Sequence, residues 1–215
     1  MGSKTSNMEK VIHNKPIIII GNGGHSKVLQ EVILLNNLEI IGVTDASESK
    51  KNSNYKVYTD NQIIEIFSPE DVSLVNGVGS LPYNNSRWDV AKFFISYGYS
   101  FLSLYHPSVI IANDVHIEDG VQLMAGVILQ PGVCIGENTI VNTGTIIDHD
   151  CIIGENCHIA PGSTLSGGVT IRNNTHVGTG ASIMQGISIG ENVIIAAGSA
   201  VYKNLPSNTL YKGKK

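Results

Sequence analysis

The chain has 215 residues, a formal net charge of −4 and only 15% charged residues. This balance argues against non-specific nucleic-acid binding, which needs a strongly basic face. No apolar run reaches the ~20 residues of a membrane-spanning helix. The polar stretch 1–14 lacks the apolar core of a signal peptide and is expected to be a disordered leader. Three cysteines are too few for a disulfide framework, so a reducing, cytoplasmic setting is the simplest expectation.

The first predicted elements are a strand, a glycine turn and a helix. Ile17–Ile20 is an apolar β-branched run typical of a buried parallel strand. Gly21-Asn22-Gly23-Gly24-His25-Ser26 follows, and an apolar helix pattern runs from Val28 through Leu35. This order can place backbone N–H groups and a helix N-terminus against a phosphate. The glycine pattern is not a full G-x-G-x-x-G, so a tight turn without a ligand remains the alternative.

The rest of residues 15–104 completes a small Rossmann-like α/β domain. A second strand, 39–44, ends at Asp45, whose carboxylate could accept hydrogen bonds from a ribose or a base. Residues 46–60 are predicted to be a loop. Further elements are predicted in the following order: a helix over 61–67, a strand over 72–78 ending at Gly79-Ser80, a helix over 85–97 with Trp88, Ala91, Phe94 and Ile95 facing the core, and a strand over 101–104.

Residues 105–205 are predicted to form a left-handed parallel β-helix. Stepping six residues at a time from Ile111 to Val201 meets only Ile, Leu or Val, a period that neither a helix nor a free strand produces. The position three residues after each of these holds only Gly, Asn or Asp, which tolerate a left-handed backbone at a corner. One place further on lie small or branched residues that can pack inside a narrow prism: Val133, Thr139, Cys151, Cys157, Ser163 and Ala181 are examples. Residues 206–215 are expected to form an exposed tail.

Asp148-His149-Asp150 carries the clearest chemical signal in the β-helix. A corner needs no imidazole, and a histidine can take a proton from a nucleophile near neutral pH. Asp150 could orient the imidazole and raise its basicity, as a carboxylate does in a triad. Asp148 is a rival for that role, and Asp150 also fits a purely structural corner position. Asn142, seven residues earlier, is a candidate to hold a substrate or an oxyanion.

His158 and His176 are eighteen residues apart and therefore stack on successive coils. The pair could line a groove, although a solvent-facing polar ladder is the simpler interpretation of His176. Two histidines without a nearby third ligand do not make a zinc site, so no metal is expected.

The motifs together resemble the PglD/NeuD-like family of sugar acetyltransferases. The resemblance covers roughly residues 16–205 and rests on the glycine turn 21–26, His106-Pro107-Ser108, Asn142-Thr143-Gly144 and residues 148–154. It implies a homotrimer with acetyl-CoA in a groove between two β-helices. It also implies that His149 is the general base, that Asp150 supports it, and that His158 approaches the thioester.

The resemblance further implies two sets of binding residues. Those expected to border the acetyl-CoA pantetheine and adenine are Gly167, Gly178, Ala196, Ala197 and Gly198. Those expected to hold the nucleotide of a nucleotide-linked sugar are Gly21, Asn22, Gly23, Gly24, His25, Asp45 and Gly79.

The leading hypothesis is an acetyl-CoA-dependent N-acetyltransferase that acts on a nucleotide-linked amino sugar for surface-glycan synthesis. Two alternatives remain open. One is O-acetylation of a sialic-acid-type sugar, which needs a base equally. The other is a non-catalytic β-helix that only assembles or binds a ligand, and it predicts no CoA binding.

Overall fold

The computed structural model describes residues 15–45 and 53–213. The predicted leader 1–14, the part 46–52 of the predicted loop, and residues 214–215 lie outside this range. The α/β part contains four strands and three helices: β1 Ile17–Ile20, α1 Gly24–Leu35, β2 Ile40–Thr44, β3 Val57–Tyr58, α2 Asp60–Ile66, β4 Ser73–Asn76 and α3 Ser86–Ser96. None of these helices is long and apolar enough to cross a bilayer.

The α/β part is a parallel sheet with strand order β3-β2-β1-β4. Side chains of β1 alternate between two cores. Ile17 and Ile19 pack with Leu29 of α1, whereas Ile18 and Ile20 pack on the face that α2 and α3 cover. Both faces of β1 are therefore buried, as its unbroken β-branched run predicts.

Several predicted elements of this part need correction. The first helix begins at Gly24 and not at Val28, since the extended Gly23 is its N-cap. Val57–Tyr58, predicted as loop, is a strand because it pairs with the end of β2. Of the predicted strand 101–104, Phe101 makes only an isolated bridge to Leu74. Ile95 is 48% exposed, so the core stripe of α3 is narrower than its spacing indicates.

The second part is a β-helix, which confirms the predicted fold class. Its strands are two residues long: β5 Leu104–Tyr105, β6 Ile110–Ile111, β7 His116–Ile117, β8 Gln122–Leu123, β9 Ile128–Leu129, β10 Cys134–Ile135, β11 Ile140–Val141, β12 Ile146–Ile147, β13 Ile152–Ile153, β14 His158–Ile159, β15 Thr164–Leu165, β16 Thr170–Ile171, β17 His176–Val177, β18 Ser182–Ile183, β19 Ser188–Ile189, β20 Ile194–Ile195, β21 Ala200–Val201 and β22 Leu210–Tyr211. From β5 to β18 each strand pairs in parallel with the third strand after it, and β20 pairs with β22; this pairing produces three faces. The first face contains β5, β8, β11, β14, β17, β20 and β22. The second contains β6, β9, β12, β15, β18 and β21. The third contains β7, β10, β13, β16 and β19.

Burial and backbone conformation in the β-helix agree closely with the predicted hexapeptide repeat. From Leu123 to Val201 the aliphatic positions are at most 2% exposed, and only Ile111 and Ile117, at the open end of the prism, are partly buried. The predicted corner residues have positive φ except Asp114 and Asn204, the first and the last. Cys151 and Cys157 are buried in the core as free thiols.

Residues 206–213 are not the exposed tail that their polar composition predicts. Leu205 is buried and bridges Ile189, and Leu210–Tyr211 pairs with β20. The chain makes this extra coil because Leu205 and Tyr211 pack against the core at the C-terminal end of the prism.

Candidate active site

His149 and Asp150 form a hydrogen-bonded pair at the corner between the second and third faces. Nδ1 of His149 is 2.8 Å from Oδ2 of Asp150. A carboxylate only accepts hydrogen bonds, so Nδ1 carries the proton and Nε2 keeps its lone pair. Asp148 does not orient the ring, because its Oδ1 accepts the backbone N–H of His149 at 2.7 Å. The geometry can therefore present a free imidazole base to solvent.

Two glycines leave room for this pair. A Cβ added to Gly167, one coil later, would lie 2.4 Å from Nε2 of His149. A Cβ added to Gly132, one coil earlier, would lie 2.6 Å from Oδ1 of Asp150. The resemblance assigns Gly167 to the cofactor. Within this chain Gly167 also has a structural role, because its lack of a side chain leaves a flat surface on which the His149 ring lies.

The electrostatics of His149 favour a base. Its hydrogen bond to Asp150 is the main cause that raises its pKa above the usual value, and the charges of Asp148 and Asp150 act in the same direction. The ring is half-exposed, with a side-chain accessibility of 52%. A raised pKa strengthens the imidazole as a proton acceptor while solvent access lets the proton leave.

Asn142 and His158, which lie on adjacent coils, form a second pair. Oδ1 of Asn142 accepts the backbone N–H of Thr143 at 2.8 Å, so its Nδ2 is the atom that faces His158 Nε2 at 3.2 Å. Since an amide nitrogen only donates, Nε2 of His158 is an acceptor and the ring is in its Nδ1–H form. One hydrogen of the Asn142 amide remains available to a substrate oxygen.

His158 stacks edge-to-face on His176, with ring centroids 4.8 Å apart. Burial is the main cause that lowers the pKa of His158 to about 3, and His176, His25 and Arg87 add to it. Burial also lowers the pKa of His176. A backbone hydrogen bond with Ser80 opposes the lowering of the His158 pKa, whereas Nδ1 of His176 is buried without a hydrogen-bond partner among the described residues. His158 is therefore a neutral hydrogen-bonding group at pH 7.

The glycine turn lies at the carboxyl end of the α/β sheet. Gly21 has φ +99, and its N–H donates to Thr44 Oγ1 at 3.0 Å. A Cβ on Gly77 would come within 2.6 Å of Ile19. The turn after β4 therefore passes too close to the end of β1 for a side chain at this position. At Gly23 and Gly24 an added Cβ meets nothing within 4 Å and both residues are exposed, so the N-terminus of α1 is an open surface where backbone N–H groups could bind an anion.

The remaining predicted residues lie around these groups. Asp45 follows β2 at the same sheet edge and is half-buried, with its N–H on Tyr58 O at 3.0 Å. Gly79 lies beside His25, since an added Cβ would be 3.5 Å from the His25 Cβ. Asn22, between Gly21 and Gly23, is also half-buried.

One chain does not bring all predicted cofactor residues together. Asn142, Gly178 and 196–198 follow one another on the corner between the first and second faces, and a Cβ on Gly178 would lie 2.5 Å from Ala197 N. His149 and Gly167 lie on the next corner around the prism. Among the described residues no hydrogen bond or ion pair joins His149 to Asn142 or His158.

Sequence reasoning missed a buried polar network between the two parts. Arg87 of α3 is 2% exposed; its Nη1 donates to the carbonyls of Asn76 and Val78, and its Nε donates to Asn138 O. Gln122 of the β-helix is 1% exposed. Little in the sequence indicates that Gln122 is buried. It occupies an outward position of the repeat, and polar residues at such positions are normally solvated.

No described group of three or more His, Cys, Asp or Glu side chains could hold a metal ion.

Comparisons with known proteins agree with this architecture. The family model "PglD N-terminal domain" matches residues 16–93. The model "Bacterial transferase hexapeptide (six repeats)" matches 114–149, 135–167 and 168–203. No curated protein sequence matches the chain.

Solved structures match almost the whole chain. PerB from Caulobacter crescentus, in complex with CoA and GDP-perosamine, is 30% identical with a TM-score of 0.82, over 91% of this chain and 92% of that one. The acetyltransferase domain of PglB from Neisseria gonorrhoeae, in complex with acetyl coenzyme A, is 27% identical with a TM-score of 0.82, over 90% and 93%. WeeI from Acinetobacter baumannii, 22% identical with a TM-score of 0.75 over 90% and 94%, shares the fold.

An α/β domain joined to a β-helix of hexapeptide repeats defines an acyltransferase of the hexapeptide class. The chain belongs to the PglD-like family of sugar acetyltransferases.

Proposed function

We propose that the protein transfers the acetyl group of acetyl-CoA to the amine of a nucleotide-linked amino sugar, with His149 as general base. The observation that carries the proposal is the His149–Asp150 pair, whose Nε2 is left as a free acceptor. The similarity to PerB, which holds CoA and GDP-perosamine, supports the two substrates. The open glycine turn at the N-terminus of α1 supports a phosphate-bearing acceptor.

The reaction needs no covalent acyl-enzyme. The sugar amine attacks the thioester carbonyl, a C–N bond forms, and Nε2 of His149 takes the proton that the amine loses. Collapse of the tetrahedral intermediate breaks the C–S bond, and the imidazolium returns its proton to the CoA thiolate. Asp150 holds the ring and stabilises the imidazolium. The free hydrogen of the Asn142 amide is suited to the oxyanion, and neutral His158 accepts the other hydrogen and fixes that amide.

The site is proposed to lie between two subunits of a homotrimer. His149 and Gly167 lie on one corner, whereas Asn142 and Gly178 lie on another, so one CoA can touch both sets only in a groove between two chains. An isoleucine column on the second face supports such packing. Ile110, Ile128 and Ile146 pair in register there, and Ile110 and Ile146 are 62% and 40% exposed.

The reaction is proposed to take place in the cytoplasm and to serve a surface-glycan precursor. Three free thiols without a disulfide fit a reducing compartment.

Turnover and thermal-shift measurements on the full chain test the function. CoA thioesters are combined with UDP-, GDP- and dTDP-linked amino sugars and with the hydroxyl analogues of the same sugars. We expect acetyl transfer to an amine and a rise in Tm with acetyl-CoA alone. Transfer only to hydroxyls would replace the proposal with O-acetylation. Absence of both CoA binding and transfer would favour a non-catalytic β-helix.

A further inference from the structure

Gln122 joins the two parts of the molecule by using both ends of its amide. It lies on β8, at the first face, under the α/β part. Its Nε2 is 2.8 Å from the carbonyl oxygen of Asn76, and its Oε1 is 2.7 Å from Nε2 of His25. The same Asn76 carbonyl accepts from Arg87. Gln122 is therefore a buried bridge between the end of β4 and the glycine turn.

The partners of Gln122 determine where the His25 proton lies. A carbonyl oxygen cannot donate, so the Gln122 atom that faces Asn76 must be the NH₂ group, and the oxygen must face His25. This oxygen also cannot donate, so Nε2 of His25 carries a hydrogen. In a neutral ring Nδ1 then has only a lone pair. Among the described residues Nδ1 has no hydrogen-bond partner, and it is not buried from solvent.

The surroundings oppose a positive charge on His25. Burial is the main cause that lowers its pKa to about 4, and the charge of Arg87 acts in the same direction against the hydrogen bond to Gln122. Among the described residues the hydrogen-bond partners of Arg87 are carbonyl oxygens, and none is a carboxylate that would neutralise its charge. His25 is also in the first turn of α1, where the positive end of the helix dipole disfavours a cation. His25 is therefore a neutral acceptor at pH 7.

We propose that Gln122 and Arg87 are positioning residues that hold His25 as the Nε2–H tautomer, so that its Nδ1 accepts a hydrogen bond from an O–H or N–H donor of the nucleotide sugar. The phosphates, which offer only acceptors when ionised, lie instead on the backbone N–H groups of the glycine turn. The inference rests on the proposed nucleotide-sugar site and specifies which part of the ligand His25 binds. His25 recognises a hydrogen-bond donor of the sugar or nucleoside and not the charged phosphates.

The first test is NMR of full-length protein labelled with ¹⁵N in histidine, with His25 assigned by His25→Gln. In the free protein we expect a protonated Nε2 and an unprotonated Nδ1 from pH 5.5 to 8. Adding GDP-, UDP- or dTDP-linked amino sugar should shift the Nδ1 resonance, whereas inorganic pyrophosphate should leave it unchanged. A cationic His25 at pH 7, an Nδ1–H tautomer, or an equal shift with pyrophosphate would overturn the proposal.

This design separates the two proposals. The NMR experiment measures the tautomer in the free protein. Failure to find any acetyl acceptor would therefore contradict the proposed function without changing the measured tautomer. An Nδ1 that no nucleotide sugar shifts, in a protein that turns one over, would defeat the inference alone.

Variants of His25 and Gln122 provide a second test, in which KM for the nucleotide sugar is measured. His25→Leu should raise KM for the nucleotide sugar about tenfold, the size of one lost hydrogen bond, with kcat and the KM of acetyl-CoA unchanged. His25→Gln keeps a donor for Gln122 and an acceptor for the ligand, so it should restore KM to within about threefold. Gln122→Glu should draw a second proton onto His25 and make KM rise as pH falls, a pH dependence that a merely structural role would not create. Equal KM values for the Leu and Gln variants would contradict the acceptor role.

Discussion

His149 and His158 lie half a coil apart on the same scaffold, yet the surroundings give them opposite chemistry. His149 is at a solvent-exposed corner, where Asp150 raises its pKa. His158 is on a face that the α/β part covers, where burial lowers its pKa to about 3. The repeat supplies equivalent backbone positions, and what packs on each position decides whether an imidazole becomes a base or a neutral hydrogen-bonding group.

The largest expected effect is at His149. His149→Ala removes the proposed base and should lower kcat by about 10²–10⁴-fold without changing the oligomeric state. Steady-state kinetics and light scattering measure this. His116→Ala, an exposed histidine at an outward position of the third face, is the matched control and should leave kcat unchanged. A His149→Ala enzyme within threefold of wild type would refute the base assignment.

Gly167→Ala tests whether the flat surface under the His149 ring matters. Its Cβ would overlap Nε2, and the displaced ring should cost about 100-fold in kcat, because small misplacements of a reacting group are expensive. Gly186→Asn is the control, since a side chain there meets nothing within 4 Å and asparagine tolerates the positive φ of a corner. If both variants retain full kcat, Gly167 does not position His149.

Subunit mixing tests whether the two histidines act across an interface. If each site takes His149 from one chain and His158 from its neighbour, His149→Ala and His158→Ala chains refolded together should recover roughly a quarter of wild-type activity by random assembly. Each variant alone supplies the background. No recovery in verified mixed trimers would place both histidines in one chain's site.

Asp150→Asn distinguishes the two aspartates. Loss of the carboxylate removes the main cause of the raised His149 pKa, so the acidic limb of the kcat profile should move to lower pH and the plateau should fall about tenfold. Asparagine also fits the corner φ of 57. Asp148→Asn should change both quantities much less, because Asp148 bonds a backbone N–H. Equal effects of the two variants would contradict the assignment.

The smallest effect concerns stability and not activity. The folded pKa of His158 lies below its unfolded value of 6.5, so the unfolded chain binds an extra proton between about pH 6.5 and 3 and the free energy of unfolding falls as pH falls. At pH 5.5 the loss is about 1 kcal/mol per such histidine in a subunit. Denaturant unfolding at fixed protein concentration measures it. His158→Gln should reduce the slope, whereas an unchanged slope would mean that His158 is not buried neutral.

Much of the fold was predictable because the repeat is a local code. A period of six with Gly, Asn or Asp at each corner restricts the backbone residue by residue, so the corners hold φ values near +60° from Gly120 to Gly198. The pair 210–211 was misjudged because two apolar residues among polar ones carry no period. They join the prism only when an open end is there to cover.

The candidate site was predictable only in part. His149 stands out because a corner needs no imidazole, and the geometry then separates Asp150 from Asp148. Arg87 could not be found in this way, since an arginine beside Trp88 in an amphipathic helix is normally solvated. Arg87 is buried because α3 packs against the β-helix, where Nε of Arg87 donates to the carbonyl oxygen of Asn138, 51 positions later in the chain.

The sequence by itself determined the β-helix, its corners and the identity of the exposed histidine, because each follows from the conformational preferences of short segments. Only the tertiary structure decided the protonation of His25 and His158, because burial, the charge of Arg87 and the amide of Gln122 reach them from other elements. Proton positions depend on distances between groups far apart in the chain, and those distances exist only after folding.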